Sequence, residues 1–176
     1  MLFRSWARRT AVVAGALPLD DDATVAELNQ MDQAFTALAR DHVRMLEVKA
    51  AALGGIARFA PSVWARACAK GEPEIDAAAL QRTGRMLAAS AAQTVAHGTD
   101  GVVEEYRAWV RPWGFGLADV SGAVDVWQGS DDHLVPAAWA TRMAEALPDA
   151  SLHLLAGEGH FLLLNRAHEV LAALVE

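Results

Sequence analysis

Residues 124–136 read V-D-V-W-Q-G-S-D-D-H-L-V-P, residues 137–150 A-A-W-A-T-R-M-A-E-A-L-P-D-A, and residues 151–161 S-L-H-L-L-A-G-E-G-H-F. Each end is a short apolar run that stops at glycine and delivers titratable side chains. Val124 to Gln128 has the β-branched and aromatic content of a strand. Gly129 ends it, and Asp131, Asp132 and His133 follow. Between the ends, Pro136 suits the first turn of a helix, and Trp139, Met143, Ala144 and Leu147 recur at helical spacing. Pro148-Asp149 turns the chain into a second strand, Ser151 to Leu155, which breaks at Ala156-Gly157-Glu158-Gly159 before His160. Strand, helix, strand predicts a βαβ unit with parallel strands. Both polar clusters then emerge at the carboxyl edge of the sheet, where open α/β folds bind ligands.

Working outward, Phe161 to Glu176 predicts a closing helix with Leu164, Val170 and Leu174 inward. Upstream, Thr10 to Leu17 (T-A-V-V-A-G-A-L) ends at Pro18 and reads as a buried parallel strand. A first helical turn is the alternative, which Gly15 and Pro18 disfavour. Asp20-Asp21-Asp22 with Thr24 marks an acidic helix start. A helical pattern runs from Thr24 to about Phe59, with a break expected at Gly54-Gly55. Pro61-Ser62 restarts a short helix ending before Pro73. Glu74 to about His97 and Gly101 to Val110 predict two more. No strand pattern appears between Pro18 and Val124, so an all-helical segment is expected between two strands.

The chain has 176 residues, enough for one sizeable core. Hydrophobic residues make up 53% and charged residues 21%, which excludes general disorder. The net charge is −7 with scattered basic residues, so nucleic acid is not an expected partner. No apolar run approaches a bilayer span, so no membrane is expected. Arg8-Arg9 followed by Thr10 to Leu17 imitates a signal peptide. A cut at Ala14-Gly15-Ala16 would leave only Thr10 to Val13 as its apolar region, too short for export. The single Cys68 allows no internal disulfide, and a reducing, cytoplasmic setting is expected.

His160 is the best candidate base, because imidazole exchanges protons near neutral pH and its preceding glycines permit a tight turn. The plainer reading is a polar loop histidine. Asp131, Asp132 and His133 read equally as a solvated turn before a helix. A metal cluster from Asp131, Asp132, His133, His153 and His160 has suitable residue types. His153 sits mid-strand, however, and no metal is expected. Trp64, Trp109, Trp113 and Phe115 read first as packing and second as an apolar pocket lining.

These motifs together resemble the end of an α/β-hydrolase. Gly129, Asp132, Val135 and Pro136 match the G-x-x-D-x-x-V-P pattern around that family's catalytic acid. Gly157, Gly159 and His160 match the G-x-G-H pattern of its catalytic histidine, in the chain order the family uses. The resemblance implies an α/β fold comprising the C-terminal part of that architecture: about three parallel strands, flanking helices and a helical lid. It implies residues 1–19 as a core strand segment, 20–120 as the lid and 121–176 as the C-terminal core. It also implies hydrolysis of an ester or related acyl bond, with a small-molecule acyl substrate and no cofactor. His160 would be the base and Asp132 its orienting acid, chosen over Asp131 because it lies three residues after Gly129.

The family's G-x-S-x-G nucleophile motif does not occur in these residues. Ser5 and Ser62 lack flanking glycines, Ser90 lies in an alanine-rich helix, Ser121 precedes a strand and Ser130 lies within the acid loop. Cys68 reads as packing. The chain alone is therefore expected to be inactive and to self-associate or need a complementing N-terminal fragment. The alternatives are a non-catalytic helical binding module or a truncated gene product, either with a vestigial Asp–His pair.

Overall fold

The computed structural model describes residues 9–175. Three strands, β1 (Arg9–Val13), β2 (Ala123–Gly129) and β3 (Ala150–Leu155), form one parallel sheet in the order β1-β2-β3. Arg9 pairs with Ala123 and Val13 with Trp127, while Val124 pairs with Ala150 and Gly129 with Leu155. As the central strand, β2 is buried from Val124 to Gly129. Its near-continuous apolar run is what a strand covered on both faces requires.

The alternation along β2 divides the core in two. Val124 and Val126 pack with Ala140, Met143 and Leu147 of helix α7 (Ala137–Ala146). Trp127 faces the other way and packs with Leu162 and Val170 of helix α8 (Leu162–Ala173). The two helices therefore cover opposite faces of the sheet, as the period-2 pattern demands. Trp139 and Leu162, both 0% exposed, anchor the two layers.

The expected strand at residues 10–17 is shorter than its apolar run. It ends at Val13 because Ala14 turns into the left-handed region, with φ of 48°. The Ala14 N–H still donates to the Trp127 carbonyl at 2.9 Å, after which the chain leaves the sheet. Hydrophobicity alone could not show that turn.

The contacts of the described chain divide it into two compact units. One holds residues 9–17 and 114–175, and the other holds residues 18–113. The second is helical throughout: α1 (Asp22–Ala26), α2 (Gln30–Asp41), α3 (Val43–Phe59), α4 (Pro61–Cys68), α5 (Glu74–Thr94) and α6 (Asp100–Trp109). Asp21 caps α1 through the Thr24 N–H, and Asn29 caps α2 through the Asp32 N–H. The expected continuous pattern from Thr24 is thus cut at Asn29 and again at His42. The expected break at Gly54-Gly55 does not occur, and α3 runs through both glycines. Gly54 is there for space, since a Cβ would collide with the Val95 side chain at the end of α5. Ala39, Leu46 and Val103 form a core in this unit, with Phe35 stacked on Tyr106 at 5.7 Å.

An ionic clamp crosses all three strands of the sheet. Asp125 on β2 is 1% exposed. It accepts from Arg9 Nε of β1 at 2.7 Å, and His153 Nε2 of β3 lies 2.9 Å away. The His153 ring stacks on Trp127 at 3.9 Å. Burial alone would raise the Asp125 carboxyl, but the hydrogen bonds and charges of Arg9 and His153 outweigh it and hold the group below its ordinary range. A depressed folded-state carboxyl contributes stability above the unfolded value near pH 4 and loses it as pH falls through the folded value. Asp125→Asn should therefore unfold at lower urea concentration than the parent at pH 7. That gap should narrow below about pH 4. Urea midpoints measured across pH check both statements.

Candidate active site

Asp132 follows β2 in the turn that leads into α7. Its carboxylate accepts four hydrogen-bond partners. Oδ1 takes the backbone N–H groups of Leu134 and Val135, each at 2.8 Å. Oδ2 takes Gln128 Nε2 at 2.8 Å and faces His160 Nδ1 at 3.0 Å. The side chain is fully buried, so these partners replace water. Burial pushes its pKa up. The hydrogen bond and charge of His160, with the Val135 and Leu134 N–H groups, outweigh that and hold the carboxyl below its ordinary range. Asp132 is therefore an anion at neutral pH.

The histidine loop is held against the acid loop by backbone. Gly129 has no room for a side chain, because a Cβ there would run into the Glu158 carbonyl and the Gly159 oxygen. Around that contact, Ser130 N–H donates to the Leu155 carbonyl at 3.0 Å and Asp131 N–H to the Glu158 carbonyl at 3.0 Å. Gly157 N–H donates to Ser130 Oγ at 3.0 Å. Gly157 itself turns at φ of 74°, a conformation that favours glycine.

A second carboxylate braces the histidine loop from below. Glu158 is 5% exposed. Its Oε1 accepts from Arg166 Nε at 2.7 Å and its Oε2 from Asn165 Nδ2 at 2.9 Å, both from α8. The helix bends at Arg166, where φ is −119°. His160 emerges above this brace, with the edge of Phe161 against its ring at 5.4 Å.

The pairing has a chemical consequence. An ionised carboxylate facing Nδ1 keeps the proton of a neutral imidazole on that nitrogen. Nε2 then carries the lone pair, on the side of the ring away from Asp132. A histidine so arranged can take a proton at Nε2 while the carboxylate stabilises the imidazolium that results.

The other candidates lie elsewhere. Asp131 is exposed and accepts from Ser130 Oγ at 2.6 Å. His133 is exposed, and His153 belongs to the Asp125 clamp. Among the described residues, no group of three or more His, Cys, Asp or Glu side chains is placed to hold a metal ion. Ser5 lies outside the described residues. Ser62 and Ser90 are exposed on α4 and α5, and Ser121 is exposed before β2. Burial first, and Glu72 second, push the Cys68 thiol up, the wrong direction for a thiolate nucleophile. Trp64 lines a cavity of about 230 Å³ in the helical unit, with Phe35, Leu53 and Tyr106. Trp109 packs edge-on to Tyr106 at 5.1 Å. Phe115 is 54% exposed.

Sequence reasoning passed over Gln128, Glu158 and Asp125. A signal for two of them was present. In a strand covered on both faces, a polar residue needs a partner, and Asp125 and Gln128 are the polar residues of V-D-V-W-Q.

No protein-family model matches this chain, and no curated protein matches it in sequence. Solved structures do resemble it. A bromoperoxidase from Bacillus anthracis superposes over 96% of this chain with a TM-score of 0.56 and 17% identity. An esterase from Exiguobacterium antarcticum gives 0.55 at 16% identity, and a hydrolase from Oleispira antarctica 0.52 at 15%, each over 96% of this chain. All three have the α/β-hydrolase fold, and the described residues have the C-terminal part of it. The chain spans about half of their length: 56% of the first two and 55% of the third. At such identities the likeness concerns the fold alone.

The close approach at Gly129 generates a prediction. Gly129→Ala should force the two loops apart and cost about 1–3 kcal/mol, the usual range for overpacking. Urea denaturation measures the loss. The NMR signals of His160 and Glu158 should move, while those of α3 and α5 stay in place.

Proposed function

We propose that this chain supplies the acid–histidine part and the helical lid of an α/β-hydrolase-type hydrolase acting on an ester or related acyl bond. The observation that carries the reading is the bond between the buried Asp132 Oδ2 and His160 Nδ1 at 3.0 Å. It is supported by the placement of both groups after parallel strands β2 and β3. In this reading a serine attacks the acyl carbon as His160 Nε2 takes its proton. The resulting imidazolium returns that proton to the leaving oxygen, and Asp132 holds the ring in its productive tautomer. Water then releases the acyl group by the same proton cycle. Asp132 and Glu158 touch no substrate in this scheme and act by placing His160.

The serine and the oxyanion-binding N–H groups come from outside these 176 residues, since no G-x-S-x-G occurs in them. In the proposed layout, residues 20–120 form the lid and residues 121–176 the core carrying the acid and histidine. The substrate is a small acyl compound. The chain works with a complementing N-terminal segment, and without one it self-associates through its sheet edge. Among the described residues β1 is an edge strand, and such an edge templates pairing.

A second reading has one observation in its favour. The helical unit has its own core and the cavity of about 230 Å³ lined by Phe35, Trp64 and Tyr106. A non-catalytic binding module with a vestigial Asp–His pair would use that cavity and leave His160 idle.

Two measurements separate the readings. The purified chain alone should hydrolyse aryl esters no faster after addition of saturating substrate than its His160→Ala variant. It should also take up no fluorophosphonate label. Combined with the serine-bearing half, it should turn over, and Asp132→Asn should lower kcat by about 10⁴-fold. The acid limb of the kcat–pH profile of the combined enzyme should follow histidine protonation, because the Asp132 carboxyl is held below its ordinary range and is already ionised there. Saturable, His160-dependent turnover by the chain alone, with a covalently labelled residue, would overturn the reading. Unchanged turnover in Asp132→Asn would do the same.

A further inference from the structure

We propose that Gln128 is a positioning residue of the acid–histidine pair, whose buried amide shares Asp132 Oδ2 with His160 and so sets how strongly the carboxylate holds the ring. The proposal rests on the reading of His160 as the base. Its test needs no turnover.

Gln128 is 0% exposed at the end of β2. Its Nε2 faces three acceptors: Asp132 Oδ2 at 2.8 Å, the Val135 carbonyl at 3.3 Å and the Gly129 carbonyl at 3.5 Å. An amide flipped by half a turn would aim its oxygen at all three. The orientation is therefore dictated by chemistry, with the N–H groups toward the carboxylate. Among the described residues, Gln128 Oε1 has no hydrogen-bond partner. An apolar side chain would leave no such orphan, so the position is not explained by packing alone. What the amide adds over an apolar residue is the short contact with Asp132 and the longer ones to the Val135 and Gly129 carbonyls.

That contact bears on His160 through one atom. Asp132 Oδ1 is occupied by two backbone N–H groups. Oδ2 is divided between Gln128 and His160. The four donors stop the carboxylate from rotating, so Oδ2 stays aimed at Nδ1. The Gln128 N–H also draws charge from Oδ2. Without it, more charge would face the imidazole, and the imidazolium would be held more tightly. A base that holds its proton too tightly returns it slowly to the leaving group.

The experiment is a histidine NMR titration of the full chain, comparing the parent, Gln128→Met, Asp132→Asn and the double variant. Gln128→Met keeps the length of the side chain and removes both N–H groups. It should raise the protonation midpoint of His160 by about half a pH unit or more, in the direction expected when a neighbouring anion loses a competing donor. In the Asp132→Asn background the same substitution should leave His160 unchanged, because the coupling runs through the carboxylate. A midpoint in folded Gln128→Met equal to the parent's would overturn the proposal. So would an equal shift in both backgrounds, which would mean that Gln128 acts through packing.

If Gln128→Met does not fold, Gln128→Leu tests the same point with a side chain of similar volume and no N–H. It should move the His160 midpoint in the same direction, and no movement would again overturn the proposal. The catalytic reading is judged separately, by Asp132→Asn turnover in the assembled enzyme. A coupled pair without turnover would leave Gln128's positioning role standing and remove His160's role as base.

Discussion

The backbone of Gly129 lies directly against the carbonyls of Glu158 and Gly159, and the rest of the site depends on that approach. Two loops from adjacent parallel strands meet there with no side chain between them. The contact lets Ser130 and Asp131 donate backbone hydrogen bonds into the second loop. It also fixes the distance between the next residues along each loop, and those residues include Asp132 and His160. A side-chain pair on two independent loops would wander with both. Here backbone hydrogen bonds join the two loops, and the side-chain bond at 3.0 Å is built on them.

Each buried carboxylate of the sheet and its loops is answered by a partner from a different element. Asp132 is saturated by β2, the following turn and the histidine loop. Glu158 is gripped by two side chains of α8. Asp125 is held between the outer strands of the sheet. Buried carboxylates are costly unless paired, and breaking one partner leaves the charge behind. The arrangement therefore ties strand register, helix docking and loop placement to one another. A one-residue slip of β2 would send Val124 and Val126 to the face of Trp127 and separate Asp125 and Asp132 from their partners.

The helical unit follows a simpler logic. Its helices are capped at Asp21 and Asn29, and packed closely enough that Gly54 must lack a side chain. Small residues such as Ala50, Ala57, Ala79 and Ala88 are buried along α3 and α5, which brings those helices together. Its aromatic residues Phe35, Tyr106 and Trp109 form a connected stack.

Much of the sheet was legible from the sequence because its signals are local. An apolar run of strand length, a glycine after it and a helical stripe between two such runs need no distant information. The spacings G-x-x-D and G-x-G-H likewise singled out Asp132 over Asp131, and His160 over the other histidines. Local signals also misled. Gly54-Gly55 looked like a helix break, and the run to Leu17 looked like one strand. Whether a glycine ends a helix depends on what packs beside it, here Val95, forty-one residues away in the chain. What only the tertiary structure decided is which polar groups share an atom. Asp125 joining Arg9 to His153, Glu158 under α8, and Gln128 against Asp132 Oδ2 are contacts between side chains brought together by folding. A sequence marks such residues as polar in an apolar strand or loop. Their partners follow from strand order and register, because hydrogen bonds act over a few ångströms of space and not over positions in the chain.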